Sequence, residues 1–408
     1  MLRGALRSTT SHIRLFALVL EFHVHLSSIL LKEGIDLVIY SLIMQASATL
    51  LHILESHTDE VARLSISPDG KTLAAHDDSA ITLWDIQTGS LLHKLEEADD
   101  MFFGMSFSPD SKLIAAASDE GIGQIWNTQT GELNHAVKSQ DERMLSLAFS
   151  PDGKMLATGS EVLRIWDTET GELLHTLLSP GDHSLSFTAM YERNEYPGEI
   201  SEVEFACNGK ILVSTCPNKS TVCIWNTETW TLEHTFRGHT ACSSPDGRFV
   251  AVLEDEDVAM QIYEISTWQL HSTLEDTKQQ VFPSTFSDDS KVLATCSIRE
   301  INLWDVDGGK HIKTFRDPAN RVCALAFSPD GKILISGAEK CGLRVWNVES
   351  RECLLAFQPE DGLRDPWSGW VRDDPPAFGV LFTDGGAKVA VAFPDGSVRI
   401  WDVKWEST

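Results

Sequence analysis

The sequence predicts an all-β fold of eight repeated four-stranded units, and three observations predict it. A turn of Ser-Pro-Asp-Gly type recurs at Ser67-Pro68-Asp69-Gly70, Ser108-Pro109-Asp110-Ser111, Ser150-Pro151-Asp152-Gly153, Ser244-Pro245-Asp246-Gly247, Ser287-Asp288-Asp289-Ser290 and Ser328-Pro329-Asp330-Gly331. Weaker copies stand at Ala206-Cys207-Asn208-Gly209 and Thr383-Asp384-Gly385-Gly386. In the same register, an aromatic and a polar residue close an alternating apolar run at Trp84-Asp85, Trp126-Asn127, Trp166-Asp167, Trp225-Asn226, Tyr263-Glu264, Trp304-Asp305, Trp346-Asn347 and Trp401-Asp402. Successive aromatics lie 42, 40, 59, 38, 41, 42 and 55 residues apart. That is a repeat of about 40 to 45 residues with two insertions.

Within the first repeat the apolar runs Val61 to Ser67, Thr72 to Ala75, Ile81 to Trp84 and Leu91 to Leu95 are short and separated by turn residues. That length and alternation predict strands. The Pro-Asp-Gly signal separates the first two, because Pro pre-sets φ and Gly supplies the positive φ that closes the turn.

These turns, with the Thr170 to His175 segment Thr-Gly-Glu-Leu-Leu-His, resemble the WD40 repeat family, and the resemblance covers about residues 49–408. They look most like the regular arrays common in fungi, including those of NACHT-associated WD40 proteins. The resemblance implies a single closed β-propeller, here of eight blades with four antiparallel strands each, or of seven if one repeat fails to form. Residues 50–55 match the fourth-strand segments at Leu173 to Leu177 and Leu232 to Phe236, yet no earlier strands precede them. The last repeat ends soon after Trp401, so the N-terminal strand is expected to complete its sheet and leave no open edge.

The family pattern also implies a hydrogen-bonded set of His, Ser or Thr, Asp and Trp in each blade. The first repeat offers His57, Asp78 and Trp84, with His76 in the Ser/Thr place. The fifth has His239 and Asp257 but Tyr263 for Trp, and the stretch between its His and its turn is short enough to predict a truncated innermost strand. Stability must then rest on apolar stacking between neighbouring units. His57 and Asp78 are structural in this register.

Residues 1–48 lack the turn signals and read as a helical or poorly ordered extension. Glu21, His23, His25, Lys32, Glu33 and Asp36 break every apolar stretch before it reaches the roughly 20 residues of a membrane helix. Arg3, Arg7 and Arg14 among hydroxyl residues fit a presequence, a signal-anchor or a helical extension. The expected compartment is the cytoplasm, with mitochondrial association through residues 1–48 as the alternative.

With 60 acidic against 33 basic residues the formal net charge is -27. Such a surface repels phosphate backbones and anionic headgroups, which argues against nucleic-acid or membrane-surface binding. The eight cysteines show no Cys-x-x-Cys pair and read as buried, reduced thiols. No nucleophile elbow, phosphate loop or His-Glu-x-x-His pair occurs, so no catalytic residue, cofactor or metal site is assigned.

Binding is expected on the two insertions, at about 179–200 and 358–378, each between the fourth strand of one unit and the first of the next. They precede units four and eight and would stand on opposite sides of a channel mouth. The first holds Tyr191 and Tyr196, and the second Arg364, Trp367, Trp370 and Arg372. Trp, Tyr and Arg dominate interface hot spots, and loops on rigid scaffolds carry function. The sequence therefore predicts an interaction scaffold or sensing module with a protein or peptide partner. A propeller hydrolase with a channel-mouth site, and an adaptor similar to those of mitochondrial fission, are the competing readings.

Overall fold

The computed structural model describes residues 46–55, 61–77, 80–95, 102–139, 143–178, 199–254, 259–274, 284–296, 300–316, 322–338, 342–357, 378–383, 386–393 and 396–405. Among these residues the chain is strand and turn, with single 3-10 turns at Cys207–Gly209 and Pro217–Lys219. The helical extension expected before residue 46 lies outside the described residues.

Each repeat folds as a meander. In the first, Arg63–Ile66, Thr72–His76, Ile81–Asp85 and Leu91–Leu95 pair antiparallel in that order, from an inner strand to an outer one. The described strands form six sheets of four strands and one of seven. The seven-stranded sheet is repeats four and five sharing the strand Thr231–Ser243. The last sheet holds Phe378–Thr383, Gly386–Ala392, Val398–Trp405 and, beside Val398–Trp405, the N-terminal strand Ala46–Leu54. That strand begins four residues earlier than the expected 50–55.

The shared strand corrects a second expectation. The fifth repeat keeps a full inner strand, in which Gly238 to Ser243 pair with Glu254 to Val250. The short sequence has removed the connecting loop, not the strand. Gly238 donates its N–H to the Ser220 carbonyl of repeat four at 2.8 Å while pairing with Glu254 of repeat five. A Cβ there would lie 2.5 Å from the Leu253 carbonyl oxygen, so the crossing requires glycine.

The recurrent turn is held by its own side chains. Ser67 Oγ donates to Asp69 Oδ1 at 2.7 Å, the Lys71 N–H donates to the same oxygen, and the Thr72 N–H returns to Ser67 Oγ. The pattern repeats at Ser108, Ser150, Ser244, Ser287 and Ser328. Where Ser111 and Ser290 replace the glycine they accept the positive φ, and each hydroxyl receives the N–H of the previous repeat's aspartate, Asp69 or Asp246. The substitution costs backbone ease and adds a hydrogen bond between units.

Apolar clusters fill the seams, each drawing on two neighbouring sheets. One joins Ala74, Ile81 and Leu83 to Phe107, Ile114 and Trp126, and another joins Leu54, Ala390, Ala392 and Ile400 to Val61, Leu73 and Trp84. The second fixes the N-terminal strand and the last sheet against the first repeat. Clusters of this kind carry the stability that the incomplete hydrogen-bonded sets do not.

What survives of those sets is a pair. Trp166, Trp225, Trp304 and Trp346 each donate Nε1–H to a buried hydroxyl on the preceding strand, of Thr158, Ser214, Thr295 and Ser336 respectively, at 2.9 to 3.0 Å. That hydroxyl stands two residues beyond the one facing the Trp. In the first repeat the position is Ala75, not His76, and Trp84 turns to Thr82 of its own strand at 2.9 Å. His57 and Asp78 lie outside the described residues.

Candidate functional site

The six residues proposed for partner binding, Tyr191, Tyr196, Arg364, Trp367, Trp370 and Arg372, lie outside the described residues. Their anchorage does not. The first insertion joins the outer strand Leu173–Leu177 to the inner strand Glu202–Ala206, and the second joins Glu352–Phe357 to Phe378–Thr383. Both are therefore outer-to-inner connections of the same kind. Where the first rejoins the sheets, Ile200 is buried, donates its N–H to the Ser160 carbonyl and accepts from Ser146 Oγ at 3.0 Å. This pins the end of the insertion to repeat three.

Immediately after it, two carboxylates face the next unit. Thr240 Oγ1 donates to Glu202 Oε2 at 3.4 Å and Ser243 Oγ to Glu204 Oε1 at 2.7 Å. Both glutamates keep solvent-exposed surface, yet the surrounding protein strips water from them and raises both pKa values, with the charge of Glu202 adding to the effect at Glu204. Beside them Cys242 contacts Ser284 Oγ of repeat six at 3.4 Å, and burial pushes its thiol up to about 12. A thiol so placed is not a nucleophile at neutral pH.

The sequence reading missed Glu202 and Glu204, although the alternation Glu-Val-Glu-Phe on an inner strand was its signal. Among the described residues, no three His, Cys, Asp or Glu side chains gather as metal ligands. The cysteine reading holds for Cys216, Cys223 and Cys296, which are buried thiols outside any disulfide, while Cys207 and Cys242 are partly buried. Cys353 is exposed, because it stands on an outer strand whose flank faces solvent.

A second set of inter-unit contacts lies along the outer strands. His52, His93 and His135 occupy equivalent places, and each Nε2–H donates to a turn carbonyl of the following repeat, that of Gln87, Gln129 and Glu169, at 3.0, 2.9 and 2.6 Å. Each ring lies over the glycine of that turn, Gly89, Gly131 or Gly171, all of positive φ. At repeats four and five the glycine is replaced by Trp230 and Trp268, both at φ 55. His175 and His234 stack on these indoles with ring centroids 4.7 and 5.3 Å apart.

Residues 48–85, 89–127, 131–167 and 309–347 match the WD40 family, described as WD domain, G-beta repeat. These four segments are WD40 repeats. Each starts at or within an outer strand, or just before one, and ends with the aromatic strand of the next sheet, so every WD40 repeat spans two sheets. The N-terminal strand is in this sense the first part of an ordinary repeat.

Relatives are similar over part of the chain. The target of rapamycin complex subunit LST8 of Mus musculus is 23% identical over 146 residues, 34% of this chain and 40% of that protein. A p21-activated protein kinase-interacting protein 1-like protein of Danio rerio is 23% identical over 241 residues, 55% of this chain and 60% of its own length. Human striatin is 37% identical over 59 residues, 14% of this chain and 8% of its own. The chain thus spans 60% or less of each of these relatives. The crystal structure of the computationally designed Ika8 protein shares the fold, with a TM-score of 0.68 at 20% identity, covering 86% of this chain and 99% of that one. Among the described residues no helix is long and apolar enough to cross a membrane.

Proposed function

We propose that this WD40 chain is a non-catalytic interaction scaffold whose repeats close into a ring of eight and whose protein or peptide partner is held on the insertion-bearing face. The observation that carries the reading is the placement of the insertions. Both long additions to the repeat fall in outer-to-inner connections, where the end of the first is pinned through Ile200 to repeat three. A rigid stack of sheets that lengthens one kind of loop presents those loops together. Their Trp, Tyr and Arg content is that of an interface centre. Glu202 and Glu204 border the first insertion and favour a partner that brings cationic or hydrogen-bond-donating groups.

The relatives support the class of function, since two of their names describe a complex subunit and a kinase-interacting protein. The test is affinity purification of the wild-type chain and of Trp367→Ala combined with Trp370→Ala, followed by mass spectrometry. The reading expects one or more partners to be lost while the melting temperature is unchanged. Identical partner lists would remove the assignment to this face.

A further inference from the structure

We propose that the turn-side rim of repeats three to five is a second docking surface, fitted to a basic and apolar peptide segment. Trp230 and Trp268 stand at a left-handed backbone position that Gly89, Gly131, Gly171 and Gly309 fill in four other repeats and Arg351 in a further one. Glycine takes that conformation freely and tryptophan does not, so backbone conformation gives no reason for an indole there. A strained surface residue of this kind points to function.

Each indole lies with one side on a histidine of the preceding unit and on a buried cluster, and its remainder is open to solvent. The two are joined along one strand, since Trp230 precedes Thr231–Ser243 and His234, which carries Trp268, lies within it. Leu174, Leu232 and Leu270 flank them with 43%, 36% and 52% of their surface exposed. Exposed leucines also line other outer strands, but among the described residues partly open turn tryptophans adjoin them here. A partly open Trp is hot-spot material, and the exposed leucines beside it widen the apolar surface.

Charge selects the occupant. Glu169, Glu172, Glu228 and Glu233 are exposed on the same turns and outer strands, within a chain of formal net charge -27. Arg237, the arginine of the shared strand, stands midway along it, seven residues from Trp230 and opposite Thr221. An apolar segment carrying Lys or Arg meets both the indoles and the carboxylates, whereas an acidic segment is repelled. The surface sits at the turn end of the outer strands, opposite the end from which the insertions leave, so it is independent of the insertion face.

The experiment uses the full chain and a blocked peptide of about 12 residues made of Lys-Leu-Leu-Lys blocks, a length matched to one interface strip, with a Glu-Leu-Leu-Glu peptide as control. Calorimetric titration should detect the basic peptide and not the acidic one. Amide exchange should slow at residues 227–236 and 264–271 when it binds. Trp230→Gly with Trp268→Gly, which restores the residue the turn conformation takes, should weaken binding about tenfold or more, and Leu232→Ser should weaken it as well. Trp367→Ala with Trp370→Ala should bind the peptide as wild type does, which separates this surface from the insertion face. No binding, protection confined to other segments, or equal affinity in the glycine and serine variants overturns the proposal.

Discussion

The imidazole of His175 lies on the indole of Trp230, with ring centroids 4.7 Å apart and planes 24° from parallel. The pair joins the outer strand of repeat three to the turn of repeat four, and it exists because a tryptophan has entered a glycine position. The φ of 55 at Trp230 costs roughly 1 to 2 kcal/mol. Stacking returns about 0.5 to 1.5 kcal/mol. A double-mutant cycle with His175→Ala and Trp230→Gly should therefore give a coupling of about 0.5 to 1.5 kcal/mol, while Trp230→Gly alone also loses the indole's packing on the buried cluster beneath it and should destabilise. Urea unfolding midpoints measure both, and a coupling of zero would show that the rings merely lie near each other.

Gly238 and Gly153 should respond to alanine for different reasons. At Gly238 the obstacle is the Leu253 carbonyl, 2.5 Å from the added carbon, where φ is not positive. The backbone of two sheets must shift, so Gly238→Ala is expected to cost about 2 to 3 kcal/mol. Around Gly153 the nearest atom is 3.8 Å away and only its φ of 72 resists, so Gly153→Ala should cost about 1 kcal/mol. Thermal unfolding of the two variants side by side checks the order.

Thr295→Val keeps the shape of a buried side chain and removes the hydroxyl that accepts from Trp304 Nε1 at 2.9 Å. The indole N–H is then left in the core, at a cost of about 1 to 3 kcal/mol. Removal of the hydroxyl at Ser287, in the turn, by Ser287→Ala acts through the loop instead. There it loses the bond to Asp289 and the return bond from the Val292 N–H.

Two groups of carboxylates pull the pH dependence in opposite directions. Burial raises Glu202 and Glu204, so between the ordinary Glu value and their native values the folded chain binds more protons than the unfolded one, and stability falls as pH rises through that window. Asp152 is lowered, chiefly by the Ser150 hydroxyl against partial burial, and its contribution is present above the ordinary Asp value and lost as pH falls through its native one. Stability should therefore peak in mildly acidic solution. Glu202→Gln with Glu204→Gln should flatten the decline on the alkaline side and leave the acid limb alone. Urea midpoints across the pH range follow both limbs, and an unchanged alkaline limb would contradict the assignment.

The periodic parts of the molecule were legible because each is a local device. The serine, aspartate and glycine of a turn act within five residues, and the Trp marks a strand by its own alternation. The addition of the N-terminal strand to the last sheet was also legible, since Leu51-His52-Ile53-Leu54 repeats Leu92-His93-Lys94-Leu95 and has no sheet of its own. The joint at Gly238 was not, because a deleted loop and a deleted strand shorten a sequence equally. Which one is lost depends on whether Gly238 clears the Leu253 carbonyl, a contact across fifteen residues. The Ser/Thr position opposite Trp84 was misplaced by one residue, at His76 and not Ala75, since it is set by cross-strand register and not by spacing along the chain. Glu202 and Glu204 escaped notice because their meaning depends on Thr240 and Ser243, 38 and 39 residues along the chain in the next repeat.

The continuous strand through Gly238 also bears on how such an array is taken apart. Elsewhere, among the described residues, the last strand of one sheet and the first of the next are separate strands. Between repeats four and five a cut falls inside a strand that both sheets use, and it removes edge pairing from each. Circular permutants opened before Ser284 or Phe378 should fold, and one opened at Gly238 should not. The smallest piece that can be lost or duplicated around this joint is then two repeats, a grain coarser than the sequence period.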